Sequence, residues 1–459
     1  MPAVDARDAD VVIVGAGVAG LTAAWRLVSA ELRVVVLEAR DRVGGRLHTV
    51  ELEGEPFELG GQWIAPTQSA VRALLEELGL ELFPRHRAGD SVRLMADGRV
   101  VRAGGDDLGL APDGVAAYEA GVEQLRLLVA EVDPEAPWDH PDARRLDTMS
   151  YEQWLQAEVP HPEARDVLRF VASGFMTKPA DAFSLLQTAW LLSSAGAVEH
   201  LLDEDEVLDA RIVGGAQQIA ERLAERLAGR VRLGVPVRDI AWDDDDGVRV
   251  RAGGAEIGAR AAVLALPPNL LPSIRFDPPL PGRRMQTDQW LAQGALIKVQ
   301  AAYPTPFWRA DGLSGTAFGT RAIVSEVYDN SPPSGSPGVL IGFISDHAAD
   351  AAAALSPEER RAAVLDAFAG YFGPRALGPT HYVERDWTTE EWTRGAYSAT
   401  FAIGALSRYG RTLREPVGPL RFAGADIAGA GNMHIDGAVR SGEAVASELL
   451  RDLGPAPSG

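Results

Sequence analysis

The sequence predicts an α/β fold in which a parallel-stranded nucleotide-binding domain is joined to an α+β domain of mixed sheet and helix. Two observations predict it. The first forty residues read strand, glycine-rich turn, helix, strand, acid, the order of a Rossmann-type βαβ unit. Farther on, helical spacing over residues 150–200 and in Pro357–Tyr371 alternates with strand-like runs between 295 and 350, such as Ala295–Tyr303 and Val339–Phe343. At 459 residues the chain has room for two or three domains of ~150 residues each.

The opening unit can be justified piece by piece. Asp10–Gly15 reads DVVIVG, a β-branched run closed by glycine, as expected of a strand buried on both faces. Gly15-Ala-Gly17-Val-Ala-Gly20 comes next, then LTAAWRL at helical spacing. Gly15 allows the tight turn, Gly17 lets a pyrophosphate approach the backbone, and Gly20 lets helix and strand pack closely. The helix N-terminus offers free N–H groups and positive potential to phosphates. A second buried strand, Arg33–Leu37, ends at Glu38, which can accept both ribose hydroxyls of an adenosine. This unit alone fits either NAD or FAD.

Composition excludes several classes of partner. With 44 basic and 65 acidic side chains the net charge is −21, which disfavours nucleic acid and anionic membrane. Hydrophobic residues at 46% and charged residues at 24% exclude a disordered chain. The absence of cysteine removes disulfides, zinc–thiolate and iron–sulfur sites, and any thioether-linked cofactor. The eight histidines never fall at H-x-x-x-H spacing, so no metal site is expected. Met1–Asp10 is acidic and lacks the basic start of a signal peptide, and Val11–Trp25 is short, laced with glycine and followed by Arg26. With a polar tail from Leu453 to Gly459, these features predict a soluble, cytoplasmic protein. The excess of Arg, Ala, Gly and Asp over Lys and Asn suggests a bacterial gene rich in GC. Asp243–Asp246, followed by Gly247, reads as a solvated hairpin turn rather than a calcium loop. Asp203–Glu206 reads as a solvated loop, with attraction of cationic amines at a pocket mouth as the alternative.

The chain beyond the βαβ unit resembles a known family. Glu38-Ala39-Arg40-Asp-Arg-Val-Gly44-Gly45-Arg46 is similar to the E-A-R-x-R-x-G-G-R segment of the flavin-containing monoamine oxidases and their relatives. Phe57-Glu-Leu-Gly60-Gly61-Gln62-Trp63 resembles the family's next flavin-contacting turn. The resemblance implies FAD. Gly44 and Gly45 would let the backbone lie against it, and Arg40 and Arg46 would neutralise its phosphates. It continues through Pro134–Leu155, Val213–Arg222, Val231–Asp239, whose Val237 backbone would meet the adenine, Ala262–Pro268, and Leu420–Gly442. The cofactor motifs then fall in residues 1–88, 212–290 and 395–459, which would form a discontinuous FAD-binding domain. Residues 89–211 and 291–394 would build the substrate domain.

Lys298 stands mid-strand among Ala295, Leu296, Ile297 and Val299, where a lysine is costly without a partner or a task. Alternation puts Leu296, Lys298 and Gln300 on one face. An edge lysine reaching solvent is the bland alternative. Ile297-Lys298 with Pro306-Phe-Trp308 resembles the family's [IV]-x-K … P-F-W, whose lysine bonds flavin N5 through a water and would assist reoxidation by oxygen. Trp387 and Tyr397, ten residues apart with Gly395-Ala396 before the Tyr, resemble the family's W … [GC]-[AC]-Y, in which the Trp packs beside the isoalloxazine and the Tyr walls an aromatic cage. Ordinary core packing is the alternative for both. Some relatives tether the flavin through a cysteine just before this Tyr; here it is Ala396, which implies non-covalent FAD.

The closing motif departs from the family's pattern. Gly424 and Asp426 match, and Asp426 would meet the ribitol or phosphate side. A helix beginning near Ile435 and including Ala438 would aim its N-terminus at the flavin C2=O and N1. The usual Trp, however, is Gly431, the small residue before the cage is Met433, and the second cage aromatic is His434. Gly431 is expected to open space for a bulkier substrate. His434 reads as a pocket wall, as an acid or base, or as a structural histidine. Phe175, Leu208, Trp190 and His200 are candidates for the pocket lining.

The resemblance implies an FAD-dependent amine oxidase. Hydride would pass from the amine α-carbon to flavin N5, giving an imine, then an aldehyde or ketone, and hydrogen peroxide. Its partners would be a small-molecule amine and molecular oxygen, with a homodimer among the possible assemblies. The alternative is a biosynthetic oxidase of the same fold acting on a secondary amine, amide or amino-acid-derived group with rearrangement or cyclisation. A desaturase or porphyrinogen-type oxidase is disfavoured by Lys298, Trp387 and Tyr397 together. An L-amino-acid oxidase is disfavoured by the lack of arginine in Gly60–Trp63. A flavin-bound protein without turnover is the non-enzymatic reading.

Overall fold

The computed structural model describes residues 8–454 apart from 96, 105, 106 and 321. Parts of the acidic start and polar tail, residues 1–7 and 455–459, lie outside the described residues. Val11–Val14 is fully buried at the centre of a five-stranded sheet. The strand order is Val231–Arg232, Val34–Leu37, Val11–Val14, Ala261–Leu264, Leu420–Phe422, and every pair is parallel. A parallel sheet covered on both faces needs unbroken apolar runs, and VVIV and AAVL supply them. The helix Val18–Ser29 packs on this sheet and against the long closing helix Ile435–Leu453.

Gly20 sets how closely that first helix can approach. A Cβ there would lie 2.1 Å from the Gly15 carbonyl oxygen and 3.0 Å from the Ala265 Cβ. Neither the backbone oxygen nor the sheet can yield. Gly20→Ala is therefore expected to destabilise the fold by about 1–3 kcal/mol through overpacking. A melting temperature equal to wild type would refute this.

The second large sheet has seven strands in the order His381–Asp386, Leu296–Tyr303, Gly338–Ser345, Glu326–Asp329, Leu313–Gly319, Asp90–Leu94, Val100–Ala103. It is antiparallel except where Leu313–Gly319 meets Asp90–Leu94. The Lys298 strand is paired on both sides, with Lys298 opposite Phe343 and Arg385. The edge-lysine alternative therefore fails. Alternation sends Ile297, Val299 and Ala301 into a core with Val327, Leu340 and Phe368, and Leu296 into a cluster with Phe343 and Trp387.

Helices Pro112–Ala130, Pro162–Met176 and Leu185–Ser194 pack together beside this sheet. Ser150 starts Tyr151–Glu158 with a reciprocal cap to Gln153. The Asp243–Asp246 run is a hairpin turn, with the Asp243 carboxylate accepting from the N–H groups of Asp245 and Asp246. Among the described residues no helix is long and apolar enough to cross a membrane, and no cluster of acids and histidines could hold a metal.

Candidate active site

A cavity of about 750 Å³ runs from the C-terminal ends of Val11–Val14 and Val34–Leu37 to the aromatic face of the seven-stranded sheet. The residues expected from the sequence to contact FAD or take part in catalysis line it, except Gly20 and Asp426. At the first end, Gly17 caps the helix Val18–Ser29, which has no side-chain cap and no acid in its first turn. Its first N–H groups and positive end are left for an anion. A Cβ on Gly17 would meet nothing within 4 Å, so bare backbone faces the cavity there. The Glu38 carboxylate is fixed by the N–H groups of Ala16 at 2.7 Å and Arg40 at 2.9 Å. It retains lone pairs for further donors.

The arginines are held in place. Arg40 bonds Glu390 and Thr393. Arg46 grips Asp426 with two nitrogens, at 3.0 and 2.5 Å, and donates to the Tyr397 carbonyl at 2.7 Å. Asp426 also accepts from the Ala399 N–H. Its expected contact with the ribitol or phosphate is thus replaced by a supporting one: Asp426 is buried behind Arg46 and ties it to the Tyr397 segment.

The middle of the cavity is built on Lys298, which is 2% exposed. Its Nζ donates to the Gly60 carbonyl and, at 2.8 Å, to Gln62 Oε1, between the rings of Trp63 and Phe343 at 5.6 and 5.7 Å. Burial pulls the ammonium down to about 7, and the nearby Glu58 carboxylate opposes that shift. Glu58 is itself pushed up by burial. Only two of the 44 basic residues are lysines, the other being Lys178, so a lysine at 298 stands out against an arginine-rich background. Trp387 is buried and donates to the Leu59 carbonyl at 2.8 Å.

The far end is aromatic. Phe343 meets Tyr397 edge-on at 6.2 Å, and Trp63, Tyr328 and Phe318 continue the wall at 5.7 and 5.9 Å. His434 caps the N-terminus of Ile435–Leu453 and lines the cavity, with Nδ1 donating to the Asn432 carbonyl at 2.8 Å. Burial lowers its pKa, which favours the neutral ring.

Sequence reasoning missed Glu326. Its carboxylate enters the aromatic end, accepting from the Tyr328 hydroxyl at 3.1 Å. Gly174 makes room for it, since a Cβ there would lie 2.5 Å from Glu326 Oε1. Burial pushes the Tyr397 phenol up, and the Glu326 charge adds to the shift. The available signal was an acid inside a strand-like run, the same signal that marks Lys298.

Other expectations need correction. Gly431 opens no space in the cavity. A Cβ there would lie 2.7 Å from the Gly437 nitrogen and 3.0 Å from an Asp436 oxygen, so Gly431 serves the turn into the closing helix. Phe175 and Leu208 line the cavity, but Trp190 and His200 do not. Trp190 is buried with its indole on the Pro134 carbonyl, and His200 turns to the Ala195 carbonyl. Of the Asp203–Glu206 run, Asp203 lines the cavity.

Comparison with known proteins shows the family. The model of the family described as flavin containing amine oxidoreductase matches residues 18–450. The chain belongs to this family. Putrescine oxidase of Kocuria rosea is 45% identical over 457 residues, which cover 97% of this chain and 96% of that one. The solved structure of wild-type putrescine oxidase bound to putrescine superposes with a TM-score of 0.94 at 47% identity, covering 96% of this chain and 99% of that one. Cyclohexylamine oxidase from Brevibacterium oxydans IH-35A superposes at 0.91 and 32% identity, covering 97% and 99%.

This flavin-containing amine oxidoreductase is thus an FAD enzyme acting on C–N bonds, with an amine as substrate and oxygen as co-substrate. The expected α/β fold with a mixed substrate domain is the one these relatives share. The similarities do not favour the biosynthetic alternative. The residues fit FAD: an uncapped helix end and bare Gly17 backbone suit the pyrophosphate, and Glu38 suits the ribose.

Proposed function

We propose that the enzyme oxidises a primary amino group of a short aliphatic diamine such as putrescine, releasing imine, then aldehyde, and hydrogen peroxide. The observation that carries this reading is the Glu326 carboxylate at the aromatic end of the cavity. A carboxylate there suits a second, non-reacting ammonium by a charge-assisted bond. A monoamine offers it nothing. The 45% identity to a putrescine oxidase supports the same substrate class.

FAD, when bound, would supply the electron acceptor for hydride from the amine α-carbon and the route of those electrons to oxygen. The protein binds, orients and desolvates. Gly15, Gly17 and the helix they open would hold the pyrophosphate, Glu38 and Ala39 the ribose, and Arg40 and Arg46 would balance phosphate charge. Gly44, Gly45 and Gly60–Trp63 would contact the flavin, Val237 the adenine, and Gly424, Ile435 and Ala438 the other end of the cofactor. Tyr397 and His434 would face the reacting amine, and Trp387 would back the flavin. Lys298 keeps a proton at Nζ for the oxygen half of the reaction. Residues 1–88, 212–290 and 395–459 form the FAD domain in this reading, and the remainder forms the substrate domain. With Ala396 before Tyr397 the flavin is held non-covalently, and the enzyme works in the cytoplasm.

The test is anaerobic flavin reduction by α,ω-diamines and by n-alkylamines of matching length. The expected result is bleaching by putrescine on the order of 10²-fold faster than by butylamine at equal sub-saturating concentration, consistent with loss of one charge-assisted contact. Equal rates would remove the diamine reading. Flavin should leave the protein on acid precipitation, and flavin retained in the pellet would contradict non-covalent binding.

A further inference from the structure

Behind Lys298 lies a buried row of side chains of which Gln62 alone lines the cavity. Arg211, 6% exposed, donates from one nitrogen to the Asn330 carbonyl at 2.9 Å and to Asn330 Oδ1 at 2.8 Å. The same Oδ1 accepts from Gln62 Nε2 at 2.6 Å, and Gln62 Oε1 accepts from Lys298 Nζ at 2.8 Å. Asn330 Nδ2 passes on to Gln300 Oε1 at 2.9 Å, and Gln300 Nε2 to the Glu58 carbonyl at 2.8 Å.

The direction of this row does not depend on how the amides are drawn. Arginine and the lysine ammonium are both pure donors. Arg211 must therefore face the oxygen of Asn330, that oxygen must draw the NH2 of Gln62, and the oxygen of Gln62 is left for Lys298. A flipped Gln62 would set NH2 against the ammonium and oxygen against oxygen. With Gly60 and Gln62 taking two N–H bonds, the third has no protein acceptor among the described residues, and Lys298 lines the cavity.

We infer that Arg211 and Asn330 are positioning residues. Through Gln62 they aim an oxygen acceptor at the Lys298 ammonium, against the repulsion of the Arg211 charge itself, and turn its third N–H toward the cavity, where the flavin is reoxidised. This rests on the reading that Lys298 serves the oxygen half-reaction. Losing the Gln62 oxygen removes a bond made to the charged form, so the lysine should become more acidic and the oxygen step slower.

The presence of only two lysines makes the test direct. Holoenzyme carrying [ε-¹³C]lysine gives two side-chain resonances, and Lys178→Arg assigns them. In Asn330→Ala the Lys298 titration midpoint is expected about one unit or more below wild type. Reoxidation by oxygen at the wild-type midpoint is expected about 10-fold slower, with anaerobic reduction by putrescine within about twofold. Asn330→Asp keeps an oxygen for both Arg211 and Gln62 and should return the midpoint to wild type or above. Should Asn330→Ala fail to fold, Gln62→Met is expected to lower the Lys298 midpoint in the same way by removing the acceptor itself, with no expectation attached to its amine half-reaction because Gln62 also lines the cavity. An unchanged midpoint in these variants, or an Asn330→Asp midpoint as low as that of Asn330→Ala, would overturn the inference. Lys298→Met separates the two levels: wild-type reoxidation there would remove the role of Lys298 itself, whereas slow reoxidation with an unmoved midpoint in Asn330→Ala removes the positioning role alone.

Discussion

Lys298→Met is expected to slow reoxidation of the reduced enzyme by oxygen on the order of 10²-fold while leaving anaerobic reduction by amine within a few-fold of wild type. Methionine fills the same buried space but cannot hold charge. The site would lose its fixed cation where negative charge develops on oxygen, in a setting where Lys298 is 2% exposed and water cannot replace it. The pH dependence comes from the same group. Burial holds the ammonium at about 7, so its assistance is present below that pH and is lost as the pH rises through it. Wild-type reoxidation should therefore fall across neutrality, and the Lys298→Met profile should be flat there. Stopped-flow reoxidation from pH 6 to pH 9, about one to two units either side of the midpoint, reads both. A Lys298→Met enzyme with the wild-type rate and slope would exclude any part for the lysine in the oxygen reaction.

Glu326→Gln should act on the other half-reaction. For putrescine, kcat/KM is expected to fall on the order of 10²-fold, because a desolvated charge pair broken at one partner costs about 2–5 kcal/mol. Glutamine keeps the shape and one oxygen for the Tyr328 hydroxyl, so the aromatic wall should stand. Butylamine has no second ammonium, and its kcat/KM should hold or rise. The diagnostic quantity is therefore the ratio of the two substrates. A parallel loss for both would show that Glu326 supports the wall and does not select a diamine.

The two residues also show how far the sequence reaches. Lys298 was legible because a charge inside an apolar run at strand spacing is costly wherever the strand is central. Glu326 carries the same signal in Val324-Ser-Glu-Val-Tyr328, but a run of that length does not reveal which face meets the cavity until the strand is paired. The βαβ unit was legible because each glycine has a local steric job, as Gly20 shows against the Gly15 carbonyl. Gly431 and Asp426 misled because their tasks are set by neighbours distant in sequence or across a turn. Asp436 and Gly437 close the space at Gly431, and Arg46, 380 residues away, claims Asp426. The Arg211–Asn330–Gln62 row was not legible at all. Its members come from three separate stretches, and no local pattern links them.

The scarcity of lysine has a chemical consequence if the proposed oxidation of an amine to an aldehyde is this enzyme's reaction. Carbonyl products condense with unprotonated primary amines to form Schiff bases, and surface lysines are the usual casualties. Here the positive charge of the surface is carried by guanidinium groups, which stay protonated and are poor nucleophiles. Lys298 is enclosed by Gly60 and Gln62, and Lys178 donates to Ala292 and Thr400. The chain thus offers an electrophilic product two side-chain amines in all, both engaged in hydrogen bonds, and amine-directed coupling reagents would find few side-chain targets.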